Sequence, residues 1–594
     1  MNKRLTMNFT KSFFASVLGT LTAFILFFTF VLLIISASAS IIGSSSGSGT
    51  LDTGSVLDLN LNKKIVDRKP NFDELQNILG LDEEVLGLTE ILSSIENAQS
   101  NSKIEGIRLR ADFISAGWAQ TRSIRNALNK FKQSGKFIYA YGDVYSQKGY
   151  YLSSVSDSVF LNPVGILEFK GLASEVLYYK DFQDEYGIKM EVVRHGKYKS
   201  AVEPYLENKM SSANRYQIKS LLDDIWITLK NEIANSRGLE PSQLDNIINE
   251  KQINIPQDGL DQKLIDGLIY EDDFNNLIKE KLQIASDIKL KLASVKTVSQ
   301  SAENYNSDIK DRIAVVYANG PIMYGEGTAS IIAQGVFVET LEDLAKDDWV
   351  KAVVLRVDSP GGVALTSDLI WHAIEKLKKE KPFMVSMGNV AASGGYYIAA
   401  GADKIFADPL TITGSIGVFA TLPNVSGLIK NLGIHSESIE THKNALGYSP
   451  FHPLTDGYRS QIKKGIEKTY DTFKERVIQG RSLSPEAVEK IAQGRVWSGR
   501  QALDVGLVDS LGGLAEAINA AAEAAGILEF NELEYPKFEK NLESMIQGIT
   551  PSLKIESVWA KWVPEKIQNQ WQQINSQNPL LSIQMLVPFQ LSIN

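Results

Sequence analysis

The sequence predicts an α/β protein made of two copies of one domain, each with mostly parallel strands joined by crossover helices, after one N-terminal transmembrane helix. The first observation behind this prediction is an internal repeat. Residues 104–112 (IEGIRLRAD) align with residues 350–358 (VKAVVLRVD), and residues 141–151 align with residues 387–397 at the same offset and without a gap. Agreement in register over so long a stretch indicates a tandem duplication.

The second observation is the alternation of strand-like and helix-like segments in both copies. Strands are expected in runs rich in Val, Ile, Leu, Phe and Tyr, at residues 56–59, 104–109, 137–141, 313–317, 352–357 and 383–387. Helices are expected at 121–132, at 367–379 and from Gly394 onward. Strands that alternate with helices favour parallel sheets with crossover connections.

The third observation is an uncharged apolar segment, residues 13–35, which is long enough to cross about 30 Å of hydrocarbon as a helix. No basic residue follows it before Lys63, whereas three precede it: Lys3, Arg4 and Lys11. This asymmetry predicts a cytoplasmic N-terminus and translocation of the remainder. The alternative is a cleaved signal peptide, with small residues at 36–39 as the cleavage site, but the apolar region of such a peptide is usually about 7 to 15 residues long. We therefore expect an uncleaved anchor.

Composition along the chain predicts its division into segments, because Gly/Ser-rich and polar stretches are typical of linkers. The predicted order is a cytoplasmic N-terminus (1–12), the transmembrane anchor (13–42), a linker (43–54), the N-terminal repeat domain (55–293), a linker (294–308), the C-terminal repeat domain (309–530) and a tail (531–594). Amphipathic pieces of the tail are expected to dock on the body or, less commonly, to lie at the membrane surface. They carry Trp559, Trp562 and Trp571.

Composition also excludes several classes of function. The net charge is −9, and the longest basic run, residues 376–381, is typical of a solvated helix face, so nucleic acid is not an expected partner. The chain has no cysteine, which excludes disulfides and thiolate chemistry. Its five histidines are scattered, and none forms the i, i+4 pair of a zinc-protease helix. We therefore predict neither a metal site nor a cofactor.

The two copies differ at positions that suit nucleophilic catalysis. Ser393, at the expected start of a helix, aligns with Gln147, and the Pro-Gly-Gly turn at 360–362 aligns with residues 114–116 (Ile-Ser-Ala). A serine at a helix N-terminus lies beside unpaired N–H groups that can bind the negative oxygen of a tetrahedral intermediate, although an ordinary N-cap serine has the same pattern. Successive glycines at a strand end free further N–H groups. Loss of both features from one copy indicates that they act together.

A serine nucleophile needs a base. Histidine is the first candidate to consider, but none of the histidines in the second copy falls in a motif that marks it: His372, His435, His442 and His452. A lysine can do the same work when burial lowers its pKa. The residues alone leave three lysines open: Lys197, Lys199 and Lys443.

Several longer motifs point to one family. They are GKYKSAVEP (196–204), VLRVDSPGG (354–362), AASGGYY (391–397), LTITGSIGV (410–418), IAQGRVWSG (491–499) and ALDVGLVD (502–509). These motifs resemble the long, two-domain form of the signal peptide peptidase A family, whose members are membrane-anchored serine proteases with a Clp-protease/crotonase type of fold. The resemblance extends from the anchor to about residue 528.

The resemblance implies that Ser393 is the nucleophile and Lys199 the general base, so that the catalytic dyad spans the two copies. Short, single-copy members take both groups from one copy, which keeps Lys443 as the alternative base. The resemblance also implies three supporting roles: oxyanion donors at the N–H groups of Gly362 and Gly394, and a supporting hydrogen bond from Ser415.

These expectations define a function. The chain is expected to be a membrane-anchored serine endopeptidase that degrades cleaved signal peptides and similar apolar peptides on the periplasmic side of a bacterial inner membrane. The resemblance further implies a homotetramer. Two other functions stay open on the sequence alone, a crotonase-like acyl-CoA enzyme and a non-enzymatic membrane scaffold.

Overall fold

The computed structural model describes residues 51–69, 85–301, 306–538 and 583–586, together with helical residues near the N-terminus: Phe14, residues 16–24, Leu26 and Thr29. Most of the predicted anchor, residues 13–42, and all three tryptophans of the tail therefore lie outside the described residues. Within the described part of the chain, no helix combines the length and the apolar character needed to cross a membrane.

The described strands are numbered β1 to β20 in chain order. They are β1 (Ser55–Asn60), β2 (Lys64–Val66), β3 (Val85–Gly87), β4 (Ile104–Arg110), β5 (Phe137–Tyr145), β6 (Ser158–Leu167), β7 (Lys189–His195), β8 (Gly267–Leu268), β9 (Leu292–Ser294), β10 (Arg312–Asn319), β11 (Val350–Ser359), β12 (Gly361–Val363), β13 (Phe383–Ala392), β14 (Lys404–Ala407), β15 (Ile412–Gly414), β16 (Val418–Asn424), β17 (Val496–Ser498), β18 (Ser510–Leu511), β19 (Asn531–Tyr535) and β20 (Ile583–Leu586).

Helices connect these strands. In the first copy the α-helices are Leu88–Ser100, Trp118–Lys132, Gln147–Ser153, Lys180–Tyr186, Glu203–Leu206, Ser212–Arg237, Pro241–Asn246, Pro256–Asp261, Glu271–Lys281 and Val295–Ser299. In the second they are Gln334–Lys346, Ala364–Leu377, Gly394–Ala399, Ser426–Asn431, Asp456–Arg481, Pro485–Ile491, Gly499–Asp504 and Leu514–Ala525. A 3₁₀ turn at Ser200–Val202 and a π turn at Ile247–Lys251 complete the list.

The first copy forms a six-stranded sheet with the order β8-β6-β5-β4-β1-β9, in which every neighbouring pair is parallel. The second copy repeats this pattern around β13-β11-β10-β19, which are also parallel, with β17 as an antiparallel edge beside β15. Strands such as β11 are buried over nearly their whole length, because helices cover both faces of a parallel sheet. The predicted α/β architecture with mostly parallel sheets is confirmed.

A third sheet joins the copies. Its order is β12-β20-β16-β7, and all neighbouring pairs are antiparallel. β7 belongs to the first copy, whereas β12 and β16 belong to the second. The β16–β7 ladder runs from Val418 opposite His195 to Asn424 opposite Lys189. Because β7 ends four residues before Lys199, this ladder brings that lysine into the second copy.

The copies also share a hydrophobic core. Leu221 and Ile225 of the helix Ser212–Arg237 belong to the same buried cluster as Leu410 and Val496 of the second copy. Burial of apolar surface between the copies stabilises their relative position, at roughly 25 cal/mol per Å² of apolar surface removed from water. The predicted tail also contributes to the sheets. Residues 531–535 form β19 beside β10, and residues 583–586 form β20.

Candidate active site

Ser393 lies at a sharp turn between β13 and the helix Gly394–Ala399. Its backbone angles are φ 57° and ψ −115°, a conformation that non-glycine residues rarely adopt and that usually costs about 1–3 kcal/mol. Two hydrogen bonds hold the turn: the Ser393 N–H donates to the Gly414 carbonyl at 2.8 Å, and the Tyr397 N–H donates to the Ser393 carbonyl at 2.8 Å. The turn thus fixes the side chain at the end of a buried strand.

The side chain of Lys199, from the first copy, contacts Ser393. Its Nζ lies 2.8 Å from Ser393 Oγ, 2.9 Å from Ser415 Oγ and 3.1 Å from the Ser415 carbonyl oxygen. Lys199, Ser393 and Ser415 are all fully buried. The structure therefore brings together three residues from distant parts of the sequence, at the spacing of direct hydrogen bonds.

Burial lowers the pKa of Lys199 well below its ordinary value, because the charged ammonium loses its hydration in this environment. The ring centroid of Phe419 lies 6.0 Å from the amine. A neutral amine has a lone pair and can accept a proton from a neighbouring hydroxyl. The combination of contact and lowered pKa suits a general base.

Glycines of the second copy make room for the lysine. A β-carbon at Gly494 would lie 2.7 Å from Lys199 Cβ, and one at Gly417 would lie 3.2 Å from Lys199 Cδ. The Tyr198 N–H donates to the Gln493 carbonyl at 2.9 Å, which docks the loop next to Gly494. Reasoning from sequence did not single out either glycine, although both belong to motifs that carried the family resemblance.

Ser415 is the third member of the cluster. Its φ is 53°, and its N–H donates to the Arg495 carbonyl at 2.7 Å, which holds the backbone at this residue. Its two oxygens accept from the Lys199 amine. This arrangement can orient the amine toward Ser393.

The two glycines suggested as sources of the oxyanion donors lie next to each other. A β-carbon at Gly394 would be 3.1 Å from the Gly362 nitrogen. Ile322 holds the turn in place, since its N–H donates to the Gly361 carbonyl at 2.9 Å and its carbonyl accepts from the Val363 N–H at 2.8 Å. A β-carbon at Gly362 would overlap the Ile322 carbonyl, so close backbone approach requires glycine there.

The other two lysines have different surroundings. Lys197 is exposed and lies over the Tyr198 ring, 5.5 Å from its centroid. Lys443 is exposed and lines a surface cavity with Glu440. Among the described residues, Lys199 is the lysine whose amine is hydrogen-bonded to Ser393. No group of metal-ligating side chains occurs within the same described part.

In the first copy, Gln147 occupies the position equivalent to Ser393. Its side-chain oxygen accepts from the N–H groups of Gly171, at 2.8 Å, and Lys170, at 3.0 Å, and its amide donates to the Gly171 carbonyl at 2.9 Å. Gln147 is buried. The side chain that replaces the serine therefore makes three hydrogen bonds to the protein backbone.

The family follows from comparison with known proteins. A sequence model described as peptidase family S49 matches residues 130–285 and 375–528, one match in each copy. The chain belongs to peptidase family S49 and is a serine protease of the long form with two domains.

Individual relatives agree over most of the chain. Protease 4 of Haemophilus influenzae is 33% identical over 524 residues, which cover 84% of this chain and 83% of that protein. Protease 4 of Salmonella typhi is 33% identical, with 91% and 89% covered. The chloroplastic serine protease SPPA of Arabidopsis thaliana is 32% identical, with 84% and 74% covered. These relatives support neither an acyl-CoA enzyme nor a membrane scaffold.

Proposed function

We propose that the chain is a Ser-Lys endopeptidase that degrades cleaved signal peptides and similar apolar peptides, with Ser393 as nucleophile and Lys199 as general base. The observation that carries this proposal is the 2.8 Å contact between Lys199 Nζ and Ser393 Oγ in a fully buried setting. Two comparisons support it: the chain belongs to peptidase family S49, and a protein of Enterococcus faecium that is 36% identical over 200 residues is described as a putative signal peptide peptidase.

The proposed reaction is acyl transfer in two stages. Lys199 takes the hydroxyl proton of Ser393 while Oγ bonds to the carbonyl carbon of the peptide, and the N–H groups of Gly362 and Gly394 stabilise the resulting oxyanion. Lys199 then gives its proton to the leaving amine as the C–N bond breaks. Water then attacks the acyl-enzyme while Lys199 takes its proton, the bond between the acyl carbon and Ser393 Oγ breaks, and Lys199 returns the proton to Oγ as the second product leaves.

Peptides are proposed to bind as an extended strand between β12 and β16. Support comes from the chain's own residues 583–586, which run antiparallel to both strands: Met585 pairs with Gly362, and Gln584 pairs with Val363 and Phe419. Met585 is fully buried beside the oxyanion turn. Main-chain hydrogen bonds to a sheet edge are a common mode of peptide binding, and a substrate in this place has to displace β20.

The test is hydrolysis of a synthetic signal peptide by the purified protein, followed by mass spectrometry of the products. We expect cleavage inside the apolar segment, and its loss in Ser393→Ala without loss of the folded state. The matched control is Gln147→Ala, at the equivalent position of the first copy, which is expected to keep cleaving. Full activity in Ser393→Ala would refute the proposed nucleophile.

The cellular arrangement is a separate proposal. Residues 13–42 are proposed to anchor the chain in a bacterial inner membrane with the N-terminus cytoplasmic and both copies periplasmic, supported by Lys3, Arg4 and Lys11 before the apolar segment. A homotetramer is proposed from the family resemblance. Protease added to intact spheroplasts should digest both copies, whereas digestion only after lysis would contradict this orientation. Sedimentation of the detergent-solubilised protein would give the number of subunits.

A further inference from the structure

The strand that leads to Ser393 contains a bulge. Val357 on β11 pairs with Met387 on β13, but the next pair is Ser359 with Ala391, so Asp358 alone faces residues 388–390. At the same place β13 changes partner. Its earlier residues pair with β14, and Val390–Ala392 pair with β15. A bulge re-aims the residues that follow it, and here the residue that follows β13 is Ser393.

The Asp358 carboxylate holds this bulge together. Its Oδ1 accepts from the Val390 N–H at 3.0 Å, and its Oδ2 accepts from the Asn389 side-chain amide at 2.8 Å. Asp358 also lies immediately before the turn that contains Gly361 and Gly362. One half-buried carboxylate therefore links the strand end that carries the proposed nucleophile to the strand end that carries a proposed oxyanion donor.

The first copy orients Asn389, whose side-chain amide donates to Asp358. The Gln120 N–H, in the first turn of the helix Trp118–Lys132, donates to Asn389 Oδ1 at 3.1 Å. A β-carbon at Gly117 would overlap the Asn389 side chain, so this contact depends on a glycine. With its oxygen bound to Gln120, the Asn389 amide group is directed at Asp358.

Charged groups of both copies lie close to Asp358. Asp67 of the first copy accepts from Arg356 Nε at 2.7 Å and from the Gln120 side-chain amide at 2.8 Å. Burial, together with the Asp67 carboxylate, raises the pKa of Asp358 to about 6, while Arg356 and the bonds from Val390 and Asn389 act in the opposite direction. A further carboxylate beside Asp358 would be strongly unfavourable.

The first copy lacks this arrangement. The positions equivalent to Asp358 and Asn389 are Asp112 and Asp143, which are both acidic. Asp143 accepts from the Tyr141 hydroxyl at 2.8 Å, and Asp112 accepts from the Asn62 amide at 3.0 Å. The carboxylate–amide pair is present in the copy that has the serine and is replaced in the copy that has Gln147.

We propose that Asn389 and Asp358 form a positioning pair that holds Ser393 at hydrogen-bonding distance from Lys199, and that the first copy sets the orientation of this pair through Gln120. The inference rests on the proposed role of Ser393. Neither residue contacts the Ser393 hydroxyl, so the pair acts through the backbone of residues 390–392. The first copy would then contribute to catalysis twice, by supplying the proposed base and by fixing the strand that aims the nucleophile.

An exchange of the two side chains tests the pair. Asn389→Asp places two carboxylates face to face and should lower kcat by about a hundredfold, the cost of a misplacement of about 1 Å, with KM little changed. The exchange D358N/N389D restores one amide and one carboxylate: the new amide oxygen accepts from Val390, its NH₂ group donates across the pair, and the new carboxylate accepts from Gln120. We expect it to recover most of the lost kcat.

The measurements are kcat and KM on a signal peptide, the melting temperature, and the rate at which a fluorophosphonate labels Ser393. The matched control is Asp143→Asn at the equivalent position of the first copy, which should label and turn over as the unmodified protein does. Asn389→Ala, which adds no charge, replaces Asn389→Asp if that variant does not fold, and it should also label slowly.

Two results would overturn the proposal. One is unchanged kcat and labelling in a folded Asn389→Asp or Asn389→Ala protein. The other is an exchange variant that melts like the unmodified protein yet stays as slow as Asn389→Asp. Activity retained by Ser393→Ala is a different outcome, because it would refute the proposed nucleophile itself.

Discussion

The strand-to-helix turn of the second copy carries a side chain that can react, whereas the same turn of the first copy carries a side chain that is bonded to the backbone. Ser393 is held in a strained conformation and its hydroxyl meets the Lys199 amine, while Gln147 is satisfied by three hydrogen bonds to Lys170 and Gly171. The comparison supports the proposal that the two copies of the duplicated domain contribute different parts of one active site. The first copy has Gln147 where the second has Ser393, yet it supplies the lysine that contacts Ser393, and its helix Ser212–Arg237 packs against the second copy.

The largest expected effect concerns the origin of the base. Lys199→Ala should fold and bind peptide but lose about 10⁴-fold or more in kcat, the scale seen when one member of a catalytic set is removed. The matched control, Lys443→Ala, removes an exposed lysine of the second copy and should keep most of the activity. Steady-state hydrolysis of a signal peptide measures both. The opposite ranking would place the whole site in the second copy and break the division of tasks.

A second prediction uses the pH dependence of stability. The folded pKa of Lys199 is lowered, so between that value and the unfolded value of about 10.4 the unfolded chain binds one more proton. Stability of the unmodified protein should therefore rise with pH through this window. Lys199→Met removes the buried amine, so it should melt at a higher temperature near neutral pH, and its advantage should shrink as pH approaches the unfolded value.

Melting temperatures of the two proteins across this pH range measure the effect. The hydrolytic activity of the unmodified protein should depend on the same ionisation: it should rise with pH as the Lys199 ammonium loses its proton. If the difference in melting temperature between the two proteins were the same at every pH, Lys199 would have to remain charged in the folded protein. Such a result would exclude it as the resting base.

The smallest expected effect on activity comes from restoring a serine to the first copy. Gln147→Ser in the Ser393→Ala background should stay inactive, because the first copy has Ser115 and Ala116 in place of the paired glycines, and the second copy has Ala445 where the repeat offset would put a counterpart of Lys199. Loss of the buried Gln147 hydrogen bonds should lower stability by about 1–3 kcal/mol. Recovered hydrolysis would show that the first copy keeps more of the site than its contacts indicate.

Much of the architecture could be predicted from sequence. The repeat, the parallel strands and helices such as 121–132 and 367–379 follow from periodicity and from self-similarity, and the structure has helices at Trp118–Lys132 and Ala364–Leu377. The third sheet could not be predicted in the same way. Its strands come from both copies and from residues 583–586, and short strands with distant partners leave no local signal.

The candidate site, like the fold, could be predicted from sequence only in part. Alignment of the two copies singled out Ser393 and the turn at 360–362. At these positions the second copy has residues that suit catalysis, and the aligned residues of the first copy do not. The choice among Lys197, Lys199 and Lys443 rested on resemblance to a family. Lysine chemistry depends on burial, and burial depends on residues that are far away in the chain.

The sequence by itself thus determined that there are two copies of one α/β unit and that one of them carries the features of a nucleophile site. The tertiary structure alone decided which lysine amine meets the Ser393 hydroxyl, that Gly494 and Gly417 make room for it, and that Gln120 of the first copy touches Asn389 of the second. The physical reason is that local patterns record helix and strand periods, whereas a proton transfer depends on distances between atoms that only the packing of the two copies brings together.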